Sequence, residues 1–381
     1  MLPKERIRAA FDHQSTDTVP VHHIGFSAQV ASMVLGREAY VGGGIQQWRE
    51  ASALWEGEEA HQEYVERSRR DAFELGQALG HDLIRMEYWR MPARPARKVD
   101  EHTFLYGDPD GEWRLYRFDP ETELYQPVDQ YPPPGGKDMD WLEERVAGAE
   151  RAASDYAPTA ESFADFRGML EQYGKEHALR YNGGGLGIPY DAIWLEAMLS
   201  QPDLVGRYLD TQAERLVRAA PSLAEAGVEY VFGGGDMASD SGPFYSPRVF
   251  HDLLLPRLKR MCDACHRHGL RYLFASDGNL WPIADDLFGN SGVDGYFEID
   301  RTAGMDLGRL RERFPRLVLI GNISSRTLDR GRREDVVAEA RSCLDEARRS
   351  GGVIVGLSNY ALPGTPRENL EAMIETIERC R

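Results

Sequence analysis

Two patterns of apolar positions alternate along the chain. Short apolar runs of strand length recur as "VPVHHIGF" (19–26), "DLIRMEYW" (82–89), "LRYNGGG" (179–185) and "VEYVFGGGD" (228–236), and again as "LRYLFAS" (270–276), "GYFEI" (295–299), "LVLIGNI" (317–323) and "GVIVGLS" (352–358). Continuous apolar runs bounded by turn residues are what strands buried on both faces require. Between them lie stretches with helical spacing. In "PRENLEAMIETIERC", Leu370, Met373, Ile374 and Ile377 fall on one face, and Thr365-Pro366-Arg367-Glu368 reads as a capping box with proline at the first helical position. Eight apolar strands, each followed by a helix, predict an α/β fold of the (β/α)8 barrel type. A doubly wound open sheet is the alternative, but no G-x-G-x-x-G turn follows the first strand.

One connection breaks the rhythm. About 90 residues separate the second strand from the third, and within them "HTFLYGDPDGEWRLYRFD" reads as a hairpin closed by Asp-Pro-Asp-Gly. The expected organisation is therefore one barrel domain over 1–381, with a hairpin-bearing insertion at about 90–135 serving as a lid.

Composition narrows the function classes. The net charge of −17 argues against nucleic acid and acidic membrane surfaces as partners. Basic residues concentrate only in "RMEYWRMPARPARK", where Arg85, Arg90, Arg94, Arg97 and Lys98 either solvate a loop or bind an anionic group. No uncharged apolar run reaches the length of a membrane span, and "MLPKERIRAAFDHQ" lacks an apolar signal core, so a cytoplasmic location is expected. The four cysteines are too few for a disulfide scaffold. "CDACH" (262–266) matches a haem-attachment pattern, but it sits inside "SPRVFHDLLLPRLKRMCDACHRHG", an amphipathic helix pattern opened by Ser246 as cap and Pro247.

In a barrel, polar residues at the carboxyl ends of the strands converge on one mouth. These are His22, His23, Glu87, Asn182, Asp236, Asp277, Glu298, Asn322 and Asn359, joined by Arg85 from the basic stretch. Strand alternation allows only one of His22 and His23 to point inward. Asp277, Asp236 and Glu298 are the candidate acids; the others, with Arg85, are candidate substrate contacts. Each acid has a plainer reading as a turn cap or salt-bridge partner. The runs Gly183-Gly184-Gly185 and Gly233-Gly234-Gly235 either leave backbone room for a ligand or simply turn the chain.

Four stretches, "GGGDMASDSGPFYSPRVFHDLLLPRLKRM", "SDGNLWPIADDLF", "TAGMDLGRLRERFPRLVLIGNI" and "PGTPRENL", resemble the uroporphyrinogen decarboxylase superfamily, which includes tetrapyrrole decarboxylases and corrinoid-linked methyltransferases. The resemblance implies the barrel, and it allows a homodimer. It also implies what this chain lacks. Thiol methyltransferases of the family bind zinc with a His-x-Cys pair and a later Cys, which fall here on Ala275, Asp277 and Asn359. The decarboxylase's arginine-bearing loop is reduced to Arg37, and its His in the "PGTP" segment also falls on Asn359.

A pocket with several acids and no thiol suits demethylation of a small compound, with a carboxylic acid protonating the leaving heteroatom. The methyl acceptor implied by the family is a corrinoid carried by a partner protein, and no tightly bound cofactor or metal is expected. A His with two carboxylates, drawn from His22, His23, Asp236, Asp277 and Glu298, could instead hold a divalent cation. Decarboxylation of a tetrapyrrole or other small carboxylate, and a catalytically inactive partner barrel, remain as alternatives.

Overall fold

The structure is a computed structural model that describes residues 1–133, 135 and 137–381. Seven parallel strands follow one another around a curled sheet in sequence order: β1 (Leu83–Arg85), β2 (Ala178–Gly185), β3 (Tyr230–Gly234), β4 (Arg271–Ala275), β5 (Gly295–Phe297), β6 (Val318–Ile320) and β7 (Val353–Ile354). The eighth position belongs to the 19–26 segment, which is extended but forms only isolated parallel bridges, Val21 with Val355 and Phe26 with Ala361. On its other side, Asp82 N donates to Val21 O at 2.8 Å. The ring is thereby closed, and the fold is a (β/α)8 barrel.

Alternation along the strands sorts the core into two layers. Leu83, Ala178, Tyr230, Leu273, Phe297, Val318, Ile320 and Ile354 fill the barrel interior, while Ile84, Leu179, Val231, Tyr272, Tyr296, Leu319 and Val353 face the surrounding helices. The N-terminal helix Pro3–Phe11 places Ile7, Ala10 and Phe11 in the interior cluster. It is held at the amino end of the strands: Lys4 N donates to Glu176 O at 2.8 Å, and Arg8 pairs with Glu229 just before β3. This end of the barrel is plugged.

The sequence reading of the helices holds with one correction. Ser246 Oγ accepts from Val249 N at 3.3 Å with Pro247 next, as expected of a cap. Cys262 and Cys265 lie buried on the helix Leu255–Arg267, and burial pushes both thiols up, away from ligand chemistry. The capping box at Thr365 does not form. Helix Arg367–Cys380 is capped by Pro366, and the Thr365 hydroxyl instead donates to Asp329 and Leu362 O. The half-buried Asp329 carboxylate draws the hydroxyl as a donor.

The long connection forms a four-stranded antiparallel sheet whose central hairpin, Thr103–Gly107 with Trp113–Asp119, turns where the sequence placed it. Phe104, Tyr106, Phe118 and Tyr125 pack on Ala28, Ile45 and Ala51 from helices Ala28–Leu35 and Gly44–Glu56, which follow the carboxyl end of the 19–26 segment. Glu123 fastens the two: its carboxylate accepts Ala28 N at 2.7 Å and Gln29 N at 2.9 Å at the helix start. A carboxylate there meets unpaired N–H groups and the positive end of the helix dipole. Glu123→Ala should therefore cost about 1–3 kcal/mol, read as a lower urea midpoint and faster proteolysis of the inserted sheet. An unchanged midpoint would detach Glu123 from that role.

Candidate active site

The carboxyl ends of β4 and β7 meet across the mouth. Asn359 Nδ2 donates to Asp277 Oδ2 at 3.2 Å, so two of the positions that the resemblance marks as metal ligands do converge, as a hydrogen-bonded amide–carboxyl pair. The third, Ala275, carries no donor atom and faces the apolar interior. These residues do not fit a thiolate-type zinc site. Among the described residues, no three His, Cys, Asp or Glu side chains come together as metal ligands.

Three acids share this region. Burial, then the like charges of Asp236 and Asp300, raise Asp277 to about 6. Burial, then Asp236 and Asp277, raise Glu298 to about 8, against the lowering pull of Arg180 and Arg85. Glu298 adopts φ +63°, a left-handed backbone that non-glycine residues rarely take outside a functional constraint. Asp236 stands exposed beside a cavity of about 600 Å³ lined also by Tyr181, Tyr190 and Gly183 to Gly187. Glycines at this wall are required by close packing. A Cβ on Gly233 would meet the Tyr272 hydroxyl at 2.5 Å and the Gly184 carbonyl.

Beneath the acids lie two cations. Arg85 and Arg180 are partners in register on β1 and β2, so their side chains leave the sheet side by side. Arg85 Nη1 donates to Tyr360 Oη at 2.5 Å and to Ile24 O at 3.0 Å, with its guanidinium over the Tyr88 ring. Arg180 is 2% exposed, lies 3.7 Å over the Phe232 ring and donates Nη1 to Asn182 Oδ1 at 3.1 Å. Among the described residues neither guanidinium has a carboxylate within salt-bridge distance. Burial and Arg85 both press Arg180 down, but a guanidinium begins so high that it stays charged. Tyr360 reaches this pair because Gly25 leaves its ring room: a Cβ there would sit 2.5 Å from Cζ.

The remaining sequence candidates divide. His22 points inward, edge-on to Phe297, with Nδ1 2.6 Å from Leu83 O. His23 points outward, and its Nδ1 accepts from Leu357 N at 3.0 Å. Burial lowers both, His23 to about 3, so both rings are neutral. Glu87 is held by Arg69 and Arg90 at 3.2 Å each, leaving only its carbonyl to accept from Arg85 and Asn182. Asn322 is occupied by Met305 O, Arg301 and Cys343, away from the acids. Arg37 is paired with Asp71 and Glu74 on the surface side. Arg180, Tyr88 and Tyr360 were missed. Asn182 gave the signal for Arg180, because residues two apart on a strand share a face.

Comparison with known proteins bears on the family and the fold. A family model described as uroporphyrinogen decarboxylase (URO-D) matches residues 191–380. A protein of Anaeromyxobacter sp. (strain Fw109-5) named uroporphyrinogen decarboxylase is 30% identical over 129 residues, which are 33% of this chain and 35% of that protein. The chain thus spans about a third of that curated relative's length. A solved methyltransferase from Methanosarcina mazei superposes with a TM-score of 0.64 at 20% identity, over 100% of this chain and 99% of that one. At that identity the likeness is one of fold.

Proposed function

This chain belongs to the uroporphyrinogen decarboxylase superfamily, and from that premise we propose a methyltransferase that moves a methyl group from a small methylated compound to a corrinoid protein. The observation that carries this reading is a carboxylic acid, Glu298, that holds its proton to about pH 8 beside a second acid, Asp277, raised to about 6. Breaking a methyl–oxygen or methyl–nitrogen bond leaves a basic heteroatom, and a neutral carboxyl within reach can protonate it as the bond breaks. Asn359 fixes the Asp277 carboxylate by hydrogen bond, and Asp236 keeps the proton affinity of both acids high. A corrinoid carried by the partner would supply the nucleophile for the methyl group, and this chain's residues supply the proton. The half-exposed aromatic groups Trp89, Tyr190 and Phe244 offer that partner an apolar rim.

A second reading, decarboxylation of a small carboxylate, is favoured by the unneutralised Arg85 and Arg180. The same protonated acid would then deliver its proton to the carbon that loses carbon dioxide. The two readings part in one experiment. Small methylated acids incubated with the enzyme and a reduced corrinoid protein are followed for methyl-corrinoid absorbance and for released carbon dioxide. Methyl-corrinoid formation without carbon dioxide is the expected result. Carbon dioxide without methyl transfer would replace the first reading with the second.

A further inference from the structure

The guanidinium of Arg180 is buried, yet among the described residues its Nε and Nη2 have no hydrogen-bond partner. These two groups form the side-on fork whose parallel N–H bonds match the two oxygens of a carboxylate. The same chain uses that fork in this way elsewhere. Arg207 grips Glu150 through Nε at 2.8 Å and Nη2 at 2.7 Å, and Arg257 grips Asp210 at 3.0 and 2.9 Å. Arg8 with Glu229 and Arg313 with Asp285 repeat the arrangement. On Arg180 the fork is desolvated and empty of protein acceptors, which is costly unless something else fills it.

The surroundings extend the clamp. Arg85 stands beside Arg180 in register, and Tyr360 Oη, having accepted from Arg85 Nη1, keeps its own proton to donate. We propose that Arg180, Arg85 and Tyr360 form a carboxylate clamp at the base of the mouth, so that the substrate is a small organic acid bound carboxylate-down, with its reacting end towards Glu298 and Asp277. This rests on the reading of those acids as the proton source and gives that site its substrate class. A single negative charge suits the clamp better than a phosphate dianion, because the negative charges of Asp236 and Asp277 stand above it. Phe232 and Phe297 pack edge to face on each other and wall the guanidinium on one side, which keeps water from the fork. The two arginines lie on β1 and β2 and Tyr360 follows β7, so the clamp uses nothing from the loop after the 19–26 segment, where Arg37 is already paired.

The test is binding to the full chain, without turnover. Sodium benzoate, sodium acetate, benzamide and inorganic phosphate are titrated calorimetrically at pH 7.5, where phosphate is mainly the dianion, and constant ionic strength. Benzoate and acetate are expected to bind, benzamide not at all, and phosphate about tenfold more weakly or worse. Arg180→Met should weaken benzoate roughly tenfold or more, while holding or raising the thermal midpoint, since it removes an uncompensated buried charge. A merely structural arginine would instead lower the midpoint and leave affinity alone. Should Arg180→Met fail to fold, Arg180→Lys, which keeps charge but not the fork, and Tyr360→Phe decide the matter by the same weakening. Benzamide binding as well as benzoate, phosphate binding better, or unchanged affinity in the variants would overturn the clamp. Asp277→Asn should bind benzoate more tightly than the wild type, because it removes a repelling charge, and Glu298→Gln as tightly, because Glu298 is already mainly protonated in the assay. Loss of turnover in those variants with binding intact separates the clamp from the proposed chemistry.

Discussion

Glu298→Gln is expected to lower turnover by roughly 10² to 10⁴, the scale on which a general acid contributes, while making the folded protein more stable above neutral pH. Both effects follow from one proton. Glu298 titrates at about 8 in the fold against the 4.5 of an ordinary glutamate. Below the lower value native and unfolded chains are both protonated there, and the native state carries no penalty. As pH rises from 4.5 towards 8 the unfolded chain releases a proton that the native chain keeps, so stability declines across that window. Above 8 the buried charge is borne in full. Glutamine never ionises, and the variant should lose this slope. Wild-type activity should fall above pH 8, as the acid form disappears. Turnover and thermal midpoint measured from pH 5 to 9 test both arms. Full activity with an unchanged slope would remove Glu298 from the chemistry and leave Asp277 as the proton donor.

Asp277→Asn is expected to cost roughly 10² in turnover with the fold and the link to Asn359 kept, because an amide still accepts a hydrogen bond. It should also move the pH profile in a defined direction. Ionised Asp277 is one of the charges that raises Glu298. Once it is neutral, Glu298 loses its proton more readily, and the alkaline limb of the profile shifts to lower pH. The two groups titrate as a pair, so the limb belongs to the pair in the wild type and to Glu298 alone in the variant. A variant with normal turnover and an unmoved limb would reduce Asp277 to a hydrogen-bond anchor.

The strands were legible because burial on both faces writes them as uninterrupted apolar runs. The 19–26 segment was read as an equal strand, yet it pairs only through isolated bridges. Asp82 helps hold it, accepting Val21 N through its carboxylate at 2.9 Å. Placing polar residues at strand ends brought Asp236, Asp277, Glu298, Asn182, Asn359 and Arg85 to one mouth. It did not anticipate that Glu87 and Asn322 would be taken up by neighbours from other elements, because pairing of that kind depends on tertiary contacts. Arg180 escaped for the opposite reason. An arginine inside a strand reads as solvent-facing unless its register with Asn182 is followed inward, and the acidic net charge of the chain concealed two cations concentrated at one point.

The plug formed by Ile7, Ala10 and Phe11 has a kinetic consequence. With the amino end of the barrel sealed, a small acid bound at Arg180 has entered through the mouth and leaves the same way. On the proposed reaction, a protein that carries a corrinoid to Glu298 would sit over that opening and trap whatever lies beneath it. Substrate and partner would then add in compulsory order, the small molecule first, and excess partner should act as a competitive dead-end inhibitor by sealing an empty barrel.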